Sequence, residues 1–173
     1  MPKIIAAAIE LFVFPCALWV PAFLSFLLHE LGHAFGYMLS MGGRHWHIRI
    51  GSGKKLFETK ALTVKLLMID GYFNPAENRI DSKAKLISML SGGPAASLVL
   101  VIVLLLLRFG GVSFGSGIIA SSAAEFFINF ILFFNVFILV LSILPVHYFF
   151  GENKGMETDG LKIIKAIKHR EES

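Results

Sequence analysis

"LSFLLHELGHAFGYML", residues 24–39, sets two histidines and a glutamate inside an otherwise apolar run. Their spacing decides how the stretch is read. His29, Glu30 and His33 form the pattern HExxH. On a helix, positions four apart share a face, so both imidazoles project to one side while Glu30 stands about 100° round from His29. Ionisable groups in a run of this kind are expensive to expose to lipid and ordinarily line a cavity. The stretch therefore predicts a helix within residues 4–40 with a polar inner face, and asks what the rest of the chain builds around it.

Working outward, the chain has 173 residues, of which 55% are hydrophobic, against about 45–50% in soluble domains. Ala95 to Leu107 is almost wholly Val, Ile and Leu, and Phe126 to Pro145 carries no charge. A helix of about 20 apolar residues crosses a bilayer. The predicted fold is therefore mainly α and integral to a membrane, a single unit over 1–173. It has three core transmembrane helices at about 8–40, 86–108 and 123–146. Pro15 and Pro21 are expected to kink the first helix or mark its true start, and Gly42-Gly43 to end it. In 44–74, Trp46, Ile48 and Ile50 alternate with His47 and Arg49, and Leu62, Val64 and Leu66 alternate with Thr63 and Lys65, so a small β-hairpin turning at "GSGKK" is predicted. "SGGP" at 91–94 is expected to break or ease the second helix, and 110–122 to be a small-residue loop. In the tail, 147–173, Leu161, Ile164 and Ile167 share one helical face among lysines, which predicts a C-terminal amphipathic helix on an anionic membrane surface.

The N-terminal apolar run continues through His29 to Leu39 with no small-residue cleavage site, so it reads as a span and not as a removed signal. Cys16 is the single cysteine, which excludes an internal disulfide and a thiolate metal site. Positive charge gathers in 44–85 (Arg44, Arg49, Lys54, Lys55, Lys60, Lys65, Arg79, Lys83, Lys85) and in the tail (Lys154, Lys162, Lys165, Lys168, Arg170), with none in 110–122. The expected topology is multi-pass, with the N-terminus outside and the C-terminus cytoplasmic. The same asymmetry accounts for the net charge of +4, and no basic-aromatic motif suggests a nucleic-acid partner.

HExxH has a definite chemistry. Two neutral imidazoles hold one Zn²⁺, the metal acidifies a water, and a carboxylate takes its proton as the water attacks a peptide carbonyl. Core histidines bonded across helices are the plain alternative. Haem ligation would leave Glu30 without a role. A third ligand must come from elsewhere, since Leu39 stands where the extended soluble-protease motif has a histidine. Glu58 lies at a suitable sequence distance but in the hairpin. Asp159, in "ETDGLKI", follows the third helix on the same side, and either it or Thr158 can instead cap the tail helix.

These blocks, in this order, resemble the site-2 protease family of intramembrane zinc metalloproteases. "LLHELGHAFGYMLSMGG" is similar to that family's first core helix. "HIRIGSG" with "VKLLMIDGYF" is similar to its membrane-associated hairpin, "SGGPAASLVL" to the start of its second core helix, and "NVFILVLSILPV" followed by "DG" to its third. The resemblance implies zinc ligation by His29, His33 and Asp159, with Glu30 as general base. It implies a membrane-spanning or signal-like peptide as substrate, held extended along Leu67, Met68, Ile69, Asp70, Gly71 and Tyr72 by strand addition, in what suits a prokaryotic cell membrane. Two features depart from the family. Ser142 stands where an Asn that contacts substrate is usual, and "VHYFFGENKGMET" lengthens the link from Pro145 to Asp159, bringing His147, Glu152 and Glu157 within reach as substitute ligands. A catalytically inactive relative that binds a partner helix is the alternative those departures leave open. A transporter finds no support in paired discontinuous helices or inverted repeats.

Overall fold

The structure, a computed structural model, describes residues 2–76, 81–110 and 118–168. It is mainly helical with one small sheet, in the order α1 (Pro2–Met41), β1 (Trp46–Glu58), β2 (Leu62–Pro75), α2 (Lys83–Phe109), α3 (Ile118–Ile143) and α4 (Asp159–Lys168). Three helices are long and apolar enough to cross a membrane, over Pro15–Met41, Lys83–Phe109 and Ala124–Ile143. Most of the expected loop 110–122, together with Arg79, Arg170 and the last residues of the tail, lies outside the described residues.

α1 is helical throughout with Pro15 and Pro21 inside it, so neither proline marks its start. Each proline removes one main-chain donor, and an apolar helix tolerates this while its neighbouring turns keep their bonds. The helix ends as expected: Gly42 takes a left-handed φ of 66° and its N–H donates to the Met38 carbonyl at 3.0 Å.

α2 likewise passes through "SGGP" without a break and starts at Lys83, where the Ser82 hydroxyl accepts from the Lys85 N–H at 3.4 Å. The glycines serve packing instead. A Cβ at Gly36 would lie 2.6 Å from the Ser88 carbonyl oxygen, and Cβ atoms at Gly32 and Gly92 would each overlap the other's backbone. Gly32 and Gly36 form a GxxxG face, the pattern that lets two apolar helices meet backbone to backbone. α3 begins at Ile118, earlier than the predicted 123. Its Asn135 is fully buried and donates to the Ser25 hydroxyl of α1 at 2.8 Å, a bond between the two helices. Asn129 of the same helix is exposed.

The sheet is more folded than a hairpin. Residues Trp46 to Ile50 lie opposite Pro75 to Gly71, and Ile48 to Ile50 also stand beside Leu62 to Val64, while Phe57 and Glu58 turn back onto Val64 and Thr63. The first half of β1 is thus enclosed by both ends of β2, and Ile48, Ile50 and Val64 are buried there. Gly51 and Gly53, at φ 83° and 82°, make the bend; a Cβ at Gly51 would lie 2.7 Å from the Leu67 carbonyl oxygen. Leu56, Phe57, Leu66, Leu67 and Ile69 remain exposed. The Trp19 indole N–H donates to the Leu66 carbonyl at 2.8 Å, so the sheet lies along α1, within its apolar length.

Asp70 ties the sheet to the segment between α3 and α4. Its buried carboxylate accepts from the Ser52 hydroxyl (2.8 Å), the backbone N–H groups of Glu152 (2.8 Å) and Asn153 (3.2 Å), and the Arg49 guanidinium (3.2 Å). Arg49 in turn donates to the Asn153 side-chain oxygen at 2.5 Å. Removing one partner of a buried ion pair leaves the other charge uncompensated. We therefore expect Asp70→Ala to destabilise the protein by about 3 kcal/mol. Thermal unfolding in detergent should show the loss, and hydrogen exchange should quicken in 146–158 before it does in α2.

Candidate functional site

The two histidines of α1 face α2, and α2 supplies the partners that orient them. His29 Nδ1 lies 2.9 Å from the Ser97 hydroxyl, and His33 Nδ1 lies 2.9 Å from the Met89 carbonyl oxygen. The Gly93 N–H also approaches His33 Nδ1, at 3.4 Å, but the shorter contact is to the Met89 oxygen, which only accepts, and it favours the proton on Nδ1 and the lone pair on Nε2. Gly93 provides the space: a Cβ there would fall against the Nε2 atoms of both rings, 2.7 Å from that of His29. Both imidazoles are buried and meet edge to face with centroids 5.0 Å apart.

Asp159 arrives from the opposite direction as the first residue of α4. The Thr158 hydroxyl accepts from the Leu161 N–H (3.4 Å) and sits against the Val146 carbonyl (3.0 Å), so Thr158 caps the helix and Asp159 is released from that duty. Gly160 allows the close approach, since a Cβ there would overlap the Ile143 carbonyl at the end of α3. Asp159 Oδ2 stands 3.6 Å from His29 Nε2 and 3.3 Å from His33 Nε2. Burial by itself pushes the Asp159 carboxyl up, but His33 and His29 beside it outweigh that and hold it below the usual carboxylate range.

His29, His33 and Asp159 thus offer three ligand atoms within 4.8 Å of one another, and this buried group can hold a metal ion. Among the described residues the other acidic candidates are engaged elsewhere. Glu58 bonds Lys55 and Thr63, Glu152 bonds Lys65 at 2.6 Å, and Glu157 pairs with Lys165. His147 forms a β-bridge with Glu157 and is exposed.

Glu30 is 5% exposed and, among the described residues, makes no hydrogen bond or ion pair. It lines a cavity of about 220 Å³ that also touches His29, His33 and Asp159, roomy enough for several waters. Gly71 of β2 packs directly on it, and a Cβ at Gly71 would overlap the Glu30 carboxylate. Of the six β2 residues expected to hold a peptide, Leu67 and Ile69 are exposed, Met68 and Asp70 are buried, and Gly71 and Tyr72 border the cavity. Asp70 spends its side chain on the network of the sheet. The Gly71 carbonyl accepts from the Asn153 amide at 2.6 Å.

Sequence reasoning missed Ser97, Met89 and Gly93 as supports of the imidazoles, and Tyr148 and Asn153 as cavity residues. The Gly32/Gly36 spacing was the one available signal, since it predicts which face of α1 meets another helix. No protein-family model, curated protein or solved structure matches the chain.

Outer partners of histidine ligands contribute about 10–100-fold in metal affinity. Ser97→Ala should weaken metal binding by that factor in competition with a chromophoric chelator. Gly93→Ala should weaken it at least as much without removing any ligand.

Proposed function

We propose that the chain is an integral membrane zinc endopeptidase that hydrolyses a peptide bond of a membrane-spanning or signal-like peptide near the cytoplasmic leaflet of a prokaryotic cell membrane. The observation that carries the reading is the pairing of a buried, unpartnered carboxylate, Glu30, with a three-donor group in one cavity. Zinc suits the donors. Ligands held tetrahedrally at 2.0–2.1 Å stand about 3.3–3.4 Å apart, against the observed 3.3 and 3.6 Å. The donor set, two imidazoles and a carboxylate with a coordination position left open, is that of catalytic rather than structural sites.

A bound zinc ion supplies Lewis acidity, lowering the pKa of water and polarising a carbonyl. The chain does the rest. Ser97 and Met89 hold the Nδ1 atoms of His29 and His33, so both rings are oriented with Nε2 toward Asp159. Glu30 takes the proton of the attacking water and returns it to the leaving nitrogen. Gly71 brings the edge of β2 against Glu30, where an extended peptide would present its carbonyl carbon. Membrane integration is supported by the three apolar helices, and the positive charge of segments 44–85 and 154–170 favours a cytoplasmic side for both.

The test uses the reconstituted full chain, a mixture of synthetic membrane-spanning peptides, and mass spectrometry to find cleaved bonds. Glu30→Gln should slow cleavage by about 10²–10⁴-fold while one equivalent of zinc is retained. Cleavage by Glu30→Gln at the wild-type rate, or purified protein without zinc, would overturn the reading.

A further inference from the structure

Peptide hydrolysis develops negative charge on the carbonyl oxygen, and a donor fixed near that oxygen is normally worth a large part of the rate. Ser142, at the position where the resemblance expects an asparagine, cannot serve. Its hydroxyl donates to the Leu139 carbonyl of its own helix at 3.0 Å. The Asn135 amide is spent on Ser25 and on the Ile131 carbonyl, and the Asn153 amide on the Gly71 carbonyl.

A second, smaller cavity of about 30 Å³ adjoins the first, on the α3 side of Glu30, with Ser142 and the apolar Phe26, Ile138 and Leu141 in its wall. His29, Glu30, Gly71, Tyr148 and Asn153 border both cavities. Tyr148 is the one hydroxyl among them, and among the described residues that hydroxyl has no hydrogen-bond partner. Tyr72 and Lys162 touch only the larger cavity.

The backbone around Tyr148 is fixed. Its N–H donates to the Met156 carbonyl at 2.9 Å and its carbonyl accepts from the Gly155 N–H at 2.7 Å, so the segment closes on itself beside the His147–Glu157 bridge. Asp70 anchors the same segment to the sheet through the N–H groups of Glu152 and Asn153.

From this geometry we propose that Tyr148 is a catalytic residue whose hydroxyl donates a hydrogen bond to the carbonyl oxygen of the peptide bond being cleaved. The proposal rests on the endopeptidase reading. In the step itself, water oxygen bonds to the carbonyl carbon and its proton passes to Glu30. The C–N bond then breaks as that proton reaches the leaving nitrogen. Tyr148 keeps its own proton throughout and stabilises the oxygen while it is negative. Burial pushes the Tyr148 hydroxyl above the usual tyrosine range, which keeps it a donor.

The experiment takes the best-cleaved peptide of the mixture and a phosphonate analogue of it, a tetrahedral mimic. Tyr148→Phe removes an oxygen with no partner in the fold, so melting temperature and zinc content should match the wild type. Its kcat should fall about 10²-fold or more with KM little changed, and its affinity for the phosphonate should fall by at least about tenfold. A kcat within about threefold of wild type, a loss confined to KM, or unchanged phosphonate affinity overturns the proposal. Wild-type protein that cleaves nothing, or Glu30→Gln that cleaves normally, overturns the endopeptidase reading and this proposal with it. An inactive Glu30→Gln beside a normal Tyr148→Phe overturns the role of Tyr148 alone.

Discussion

Everything in the site depends on how closely α1 and α2 approach. Gly32 and Gly36 on one helix meet Gly92 and Ser88 on the other with no room for a side chain between them. That contact brings Ser97 and the Met89 carbonyl within 2.9 Å of the two imidazoles. A helix pair separated by ordinary side chains would stand 8–10 Å apart (about the usual interaxial distance) and would leave both Nδ1 atoms without partners. Buried polar groups of that kind are costly unless paired. The glycines, which weaken an isolated helix, are here the condition for placing two imidazoles in an apolar interior.

The carboxylate side of the site is assembled by different means. α4 is a short helix with Asp159 at its start, and it is fixed by Thr158 against the end of α3 and by the bareness of Gly160. The segment before it is pinned to the sheet through Asp70, Arg49 and Asn153. A rigid helix pair thus holds two donors, and a helix start held by hydrogen bonds delivers the third. The polar cavity lies between them.

Much of this was legible in the sequence, and the reasons differ from residue to residue. His29 and His33 are four apart, and helix periodicity alone places them together. Asp159 was legible as a ligand only through the family resemblance, because by spacing "TDG" reads equally well as a cap; the structure gives the cap to Thr158. Pro15 and Pro21 as a helix start, and "SGGP" as a helix break, misled local rules that are calibrated on helices in water, where a lost main-chain bond has a competitor. The doubled sheet was illegible because alternation reports which face is buried and not which segment lies alongside. Tyr148 and Asn153 carried no signal either, since their positions follow from contacts with Asp70 far earlier in the chain.

The bond from Asn153 to the Gly71 carbonyl has a consequence for any polypeptide laid along β2. That oxygen already has a donor, on the strand residue that packs against Glu30. A strand pairing with β2 would meet a claimed acceptor at Gly71, where its ladder would have to stop or displace the Asn153 amide. The ladder would end over Glu30, the residue against which Gly71 packs.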